Sequence, residues 1–181
     1  MMNIFYLHND PKLCAEWSVD SHCVKMILES AQLLSTAHRV IDGVEYIDDT
    51  GKRKVKRWRL DDDRNDKLYS ATHVNHPSAV WCRETDTNYL WLWSLLNEYC
   101  KEYTYRYGKT HKVKSDGLLH ALRYAPYKIK AAGLTEPPSA MDTKYIISKN
   151  AIENYRNYYR VGKAHLHKWK NRQPPKWIKE A

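Results

Sequence analysis

The chain has 181 residues and a formal net charge of +9, with fourteen Tyr and seven Trp against a single Phe. That length suits one well-packed domain. The sequence holds no run of 18 apolar residues and no basic-apolar-small leader, which excludes a spanning helix and a signal peptide, so a soluble cytoplasmic protein is expected. Basic charge combined with rings that stack and carry polar tips suits nucleic acid, and DNA is the expected partner. Cys14, Cys23, Cys82 and Cys100 form no C-x-x-C pair, so buried reduced thiols are expected. His165 with His167, and His73 with His76, lack acidic or thiol partners at ligand spacing, so neither metal nor cofactor is expected.

The predicted class is mainly α, a single-domain helical bundle over residues 1–181 with a short N-terminal strand and a small β-hairpin. Asn3 to Leu7 reads as that strand. Asn9-Asp10-Pro11 then supplies a cap and a first-turn proline. The helix it opens either runs to Ile41 or breaks near Ser18 to Asp20, and Asp42-Gly43 ends it. Residues 44–60 read as a hairpin insertion whose second arm, Lys52 to Arg59, sets six basic residues around Trp58. It is either a phosphate-contacting ribbon or an edge strand protected by lysines.

His76-Pro77 opens a helix from Ser78 to Glu84, and Thr85 or Asp86 caps a longer one ending at Gly108. In that longer helix Asn88, Leu92, Leu95, Tyr99, Glu102 and Arg106 form one stripe. Tyr89, Trp93, Leu96, Cys100, Tyr103 and Tyr107 form its neighbour, read as core packing. Ser115 is expected to cap a short helix to Tyr124, and residues 126–142 to form a loop. A last, strongly basic helix is predicted from about Lys149 to Lys170, followed by an extended tail, 171–181, with Trp177 docked on the body.

The segment from Asp20 to Thr36 carries the most chemistry. At about 100° per residue, His22, Lys25, Glu29, Gln32 and Thr36 share one narrow arc of an otherwise apolar helix. Either the arc is the solvated face of a core helix, with Lys25 and Glu29 an ordinary i,i+4 pair, or it lines a cleft in which desolvated polar groups are paired or useful.

The Asn3-Ile-Phe start, the Asp20-x-His22-x-x-Lys25-Met-Ile-Leu-Glu29 block through His38-Arg39, His76-Pro-x-x-Val-Trp81, Glu102-Tyr-Thr-Tyr-Arg106-Tyr-Gly-Lys109 and the region from Lys163 to Trp177 together resemble a phage-encoded protein family. The order of parts is also similar, more distantly, to the phage endonuclease V type pyrimidine-dimer DNA glycosylases. That likeness implies a small, basic, mainly helical enzyme with a glutamate on its first helix, which would correspond to Glu29. It also implies a terminal-amine nucleophile, but this chain starts Met1-Met2-Asn3, without the small second residue that favours trimming.

The expected function is therefore cleavage of the N-glycosidic bond of damaged or modified pyrimidines in DNA. Glu29 would stabilise the oxocarbenium-like sugar, Lys25 would be the Schiff-base amine, and His22 would shuttle the leaving-group proton. Gln32, Trp81, Asn88 and His76 are the candidate base-binding groups. Arg39, Arg83, Arg106, Lys109, Arg156, Lys163 and Trp169 are the candidate nucleic-acid contacts. The alternatives are a non-enzymatic nucleic-acid-binding protein directed against host defence, and a base- or nucleotide-modifying enzyme.

Overall fold

The computed structural model describes residues 2–180 and is mainly α. In chain order it comprises α1 (Pro11–Trp17), α2 (Asp20–Asp42), β1 (Val44–Asp48), β2 (Val55–Arg59), α3 (Arg64–Lys67), α4 (Pro77–Cys82), α5 (Asp86–Tyr107), α6 (Lys112–Ser115), α7 (Leu118–Ala121) and α8 (Ala151–Asn157). Strands β1 and β2 pair antiparallel from Val44 opposite Arg59 to Asp48 opposite Val55.

Helices α2 and α5 form the centre of the molecule. They run antiparallel, because Arg106 near the end of α5 meets Asp20 at the start of α2, while Tyr89 near the start of α5 meets His38 near the end of α2. The Thr85 side chain caps α5 by accepting the Asn88 N–H. The first stripe of α5 is buried along its length, and Tyr89, Leu96 and Cys100 of the second stripe join it in the core.

The first helical stretch does break, and a single arginine occupies the break. The Arg106 side chain is wholly buried and donates to the carbonyls of Glu16 and Ser18, which α1 leaves unpaired, and to the carboxylates of Glu102 and Asp20. Asp20 also accepts from the Lys170 amide, so a segment 150 residues downstream closes over the start of α2. Arg39 does the same work at the other end of α2. Its guanidinium donates to the carbonyls of Trp58, Asn65, Leu68 and Tyr69, tying the hairpin and α3 to the core.

Three expected elements differ. Residues 3–7 form no strand; Ile4 to Leu7 are buried, and their neighbours are side chains rather than a partner strand. Glu29 takes the Asn3 N–H, Arg156 donates to the Leu7 carbonyl, and Phe5 stacks on His22. Ser115 is the last residue of α6 instead of a cap, and Gly117 is the cap position before α7, which ends at Ala121. The long C-terminal helix stops early: α8 gives way to a π-turn over Tyr158–Gly162 and a 3-10 turn over Ala164–Leu166. Gly162 explains the change, since a Cβ there would lie 2.5 Å from the Tyr158 ring and 2.8 Å from that of Tyr145. Lys163 closes the wide turn by donating to the Tyr158 carbonyl.

Trp177 does dock, packing edge-on against Trp17, although a 3-10 turn over Lys176–Lys179 replaces part of the extended tail. All four cysteines are free and buried, and burial pushes the thiols of Cys14, Cys23 and Cys82 up to about 12. No helix among the described residues is long and apolar enough to cross a membrane.

Removing the Arg106 guanidinium leaves the carbonyls of Glu16 and Ser18 without this donor and strips one partner from each of the Glu102 and Asp20 carboxylates, which keep only Arg172 and the Lys170 amide. Arg106→Ala is expected to cost about 3–5 kcal/mol in urea unfolding, and Arg106→Lys to recover less than half of that, because an ammonium cannot reproduce the fork.

Candidate active site

The polar arc of α2 divides into a buried part and an exposed part. His22, Glu29 and Thr36 are buried, Gln32 is half-buried, and Lys25 is exposed. Val24 and Leu28, expected in the core, are exposed beside Lys25. The arc is therefore neither a uniformly solvated face nor a closed cleft.

Glu29 is its centre. One carboxylate oxygen accepts the Asn3 backbone N–H at 3.1 Å, and the other meets the Lys25 ammonium at 3.3 Å. Asn3 is held in turn by its side chain, which accepts from the Tyr155 hydroxyl and donates to the Ala140 carbonyl. The buried start of the chain thus fixes the carboxylate, while an exposed ammonium covers its solvent side. The Lys25 side chain is 55% exposed, so it lacks the desolvation that an amine nucleophile calls for.

Two hydrogen bonds bring a second segment to the arc. The Thr36 hydroxyl accepts from the Thr72 N–H at 3.1 Å and donates to the Thr72 carbonyl at 3.3 Å. The chain then turns through His73, whose φ of 49° is unusual for a residue with a side chain. The His76 amide donates to the His73 carbonyl, and His76 caps α4 by accepting the Ser78 N–H on Nδ1. A neutral His76 therefore carries its proton on Nε2. Burial and the neighbouring His73 push His76 down from its ordinary value, while the Glu29 carboxylate pulls it up.

Beyond Thr36 the same face of α2 reaches Val40, which borders a groove of about 700 Å³ between the hairpin and residues 71–75. Lys56, Arg57, Trp58 and Arg83 line it. A smaller hollow of about 280 Å³ shares Arg57 and Trp58 and is bordered by Arg39, Tyr46 and Arg59.

Several candidate residues belong to the framework instead. His22 stacks on Phe5 with ring centres 4.0 Å apart and shares a 2.6 Å hydrogen bond with the Tyr159 hydroxyl. Burial, aided by Lys163 and Lys25, pushes it down to about 3, so it is a neutral packing group and not an exposed proton shuttle. Trp81 lies in the core against Tyr6 and Trp91, with its N–H on the Thr135 carbonyl. The Asn88 amide is spent on Trp81 and Thr135. Neither can receive a flipped base in this arrangement.

Arg39 and Arg106 are buried with their donors committed, as described above. Arg156 lies over the rings of both Trp17 and Trp177, and the Trp169 N–H is used by the Trp17 carbonyl. Lys109 is exposed just past α5, at the end of the bundle remote from the hairpin, and half-buried Lys163 lies over the Tyr158 ring. Of the expected phosphate contacts, Arg83 alone borders the large groove, with one donor on the Val74 carbonyl.

The fold thus pairs Lys25 with Glu29, keeps Gln32 on the same helix face and sets His76 within electrostatic reach of Glu29, while Trp81, Asn88 and most of the arginines lie apart. Asn3, Thr72 and His73 join the site without having been singled out for it. Thr72 sits in a short irregular segment with no motif or periodicity to mark it, and Asn3 is marked only as part of the expected strand and of the Asn3-Ile-Phe start. Among the described residues, no group of three or more His, Cys, Asp or Glu side chains is placed to hold a metal ion. No protein-family model, curated protein or solved structure matches the chain.

His22 at about 3 and His38, which burial and Arg64 push down to about 4, both start from 6.5. The unfolded chain therefore binds more protons across that window, and stability present above pH 6.5 is lost as the pH falls through it. Denaturant unfolding is expected to show a lower stability at pH 5 than at pH 7. His22→Gln should flatten that dependence by up to about 1.4 kcal/mol per pH unit.

Proposed function

We propose that the protein is a DNA glycosylase-like enzyme, of the phage endonuclease V kind, that releases damaged or modified pyrimidine bases, with Glu29 as its catalytic carboxylate. The observation that carries this reading is the setting of Glu29: a buried carboxylate fixed by a backbone N–H and opening onto an exposed amine. N-glycosidic cleavage leaves an oxocarbenium-like sugar, and a fixed negative charge beside C1′ stabilises it.

In the hydrolytic route Glu29 accepts a proton from water as the water oxygen bonds to C1′. The C1′–N bond breaks, its electron pair leaves with the base, and the departing nitrogen takes its proton from solvent, while the neutral His76 can offer its Nε2–H only as a hydrogen bond. In the lyase route the Lys25 amine, deprotonated and released from Glu29, attacks C1′ in place of water. The resulting Schiff base is reducible by borohydride. The exposure of Lys25 favours the hydrolytic route.

One observation favours a binding protein without chemistry: Trp81 and Asn88, the groups suited to a flipped base, are sealed in the core. The two readings part on Glu29. Base release from duplexes carrying a pyrimidine dimer or 5-hydroxymethyluracil is expected to fall 10²-fold or more in Glu29→Gln. An abasic duplex treated with borohydride should give an adduct that Lys25→Ala abolishes, if the lyase route operates. Base release that is absent in the parent, or equal in Glu29→Gln, would remove Glu29 from catalysis and leave the binding reading.

A further inference from the structure

We infer that the groove between the β-hairpin and residues 71–75 binds the phosphodiester backbone of one DNA strand, flanking the nucleotide presented to Glu29. The inference rests on the proposed action on DNA, but it concerns a different surface. Its cations are Lys56, Arg57 and Arg83, and Trp58 supplies a ring. The carboxylate partners there are weak: Lys56 meets Glu45 at 3.1 Å with both side chains at least half exposed, and Arg57 lies 3.7 Å from Asp48. Exposed pairs of this kind are worth little, so a phosphate readily takes the cation. Lys52, Arg53 and Lys54 extend the positive charge along the exposed tip of the hairpin.

Charge complementarity separates this groove from the other large one. The hollow of about 600 Å³ beside Tyr69 and Val113 sets Asp66 and Asp116 against Lys67 and Lys112, and so has no preference of sign. A space of about 700 Å³ matches in volume a ligand of one or two nucleotides. The proposed occupant is a locally unpaired strand.

Its placement follows from α2. Gln32, Thr36 and Val40 succeed Glu29 on one helix face, and the rise from Glu29 to Val40 spans about 16 Å, or roughly five stacked nucleotides. Thr36 holds Thr72 along that path, and the turn at His73 carries the chain between the carboxylate and the groove. Backbone held in a sparsely populated conformation is kept where the surroundings require it.

The test is fluorescence anisotropy with a lesion-free, fluorescein-labelled 12-nucleotide DNA strand across a sodium chloride series. It compares the parent with Lys56→Ala/Arg57→Ala and with Lys12→Ala/Lys101→Ala. The second pair removes the same charge from exposed sites on α1 and α5 and serves as the control. The groove variant is expected to bind about tenfold more weakly at 0.1 M salt and to lower the log–log salt slope by about 1.4, the value for two lost phosphate contacts on a single strand. The control should match the parent, and a blunt duplex should respond less to the groove substitutions.

Equal losses in the two double variants, or no binding by the parent, would overturn the inference. Strand binding through the groove without base release would retain this surface and remove the glycosylase reading. Base release with unchanged strand affinity in the groove variant would do the reverse.

Discussion

The buried guanidinium of Arg106 is the constraint on which the arrangement rests. It fills the corner between α1 and α2, and it satisfies carbonyls that the break exposes in a place water does not reach. Its charge is balanced by Glu102 and Asp20, and Glu102 is shared with Arg172 from the C-terminal tail. Four separate stretches of chain are thereby joined at one point. Arg39 plays the equivalent part at the far end of α2, where it ties down the hairpin and α3 together with Arg64 of α3, which bonds Asp42 and His38. With both ends pinned, α2 presents one fixed face to the rest of the molecule.

That rigidity gives the polar arc of α2 its meaning. Glu29 is buried because residues 2–7 pack across α2 as an irregular strap, and the strap supplies the N–H that the carboxylate requires. Thr36 secures the next segment through both polar groups of Thr72. Between these two attachments the surface is polar, partly open and flanked by His73, His76 and Lys25. Past Thr36 it becomes basic. In the function proposed above, the fixed carboxylate of α2 would face the sugar, and the exposed cations of the hairpin, with Arg83 after α4, would face the phosphates beyond the end of the same helix face.

The aromatic inventory divides in a comparable way. Trp81, Trp91, Tyr6 and Tyr89 build the core, and Trp17, Trp169 and Trp177 fasten the C-terminal segment with help from Arg156. Arg156, Arg160 and Arg172 of that segment are committed to this fastening, whereas Lys149, Lys168, Lys170, Lys176 and Lys179 stay exposed. Trp58 differs, because it sits on the hairpin beside exposed cations.

The sequence determined the elements whose signals are local. The periodicity of residues 20–42 and 86–107, the caps at Asp10, His76 and Thr85, and the hairpin registered by 44–60 all act within a few residues of chain, so they could be read directly. It also marked Glu29, Lys25 and Gln32 as sharing a face. Burial and partnership were decided only by the tertiary structure. Residues 3–7 look like a strand, yet no other strand lies beside them; Arg39 and Arg106 look like phosphate ligands until the carbonyls they serve converge from distant segments. His22 is adjacent to Lys25 on the helix, but Phe5 and Tyr159 cover it and keep it neutral. Helical spacing fixes which side chains share a direction, whereas what a side chain meets in that direction depends on contacts made across more than a hundred residues.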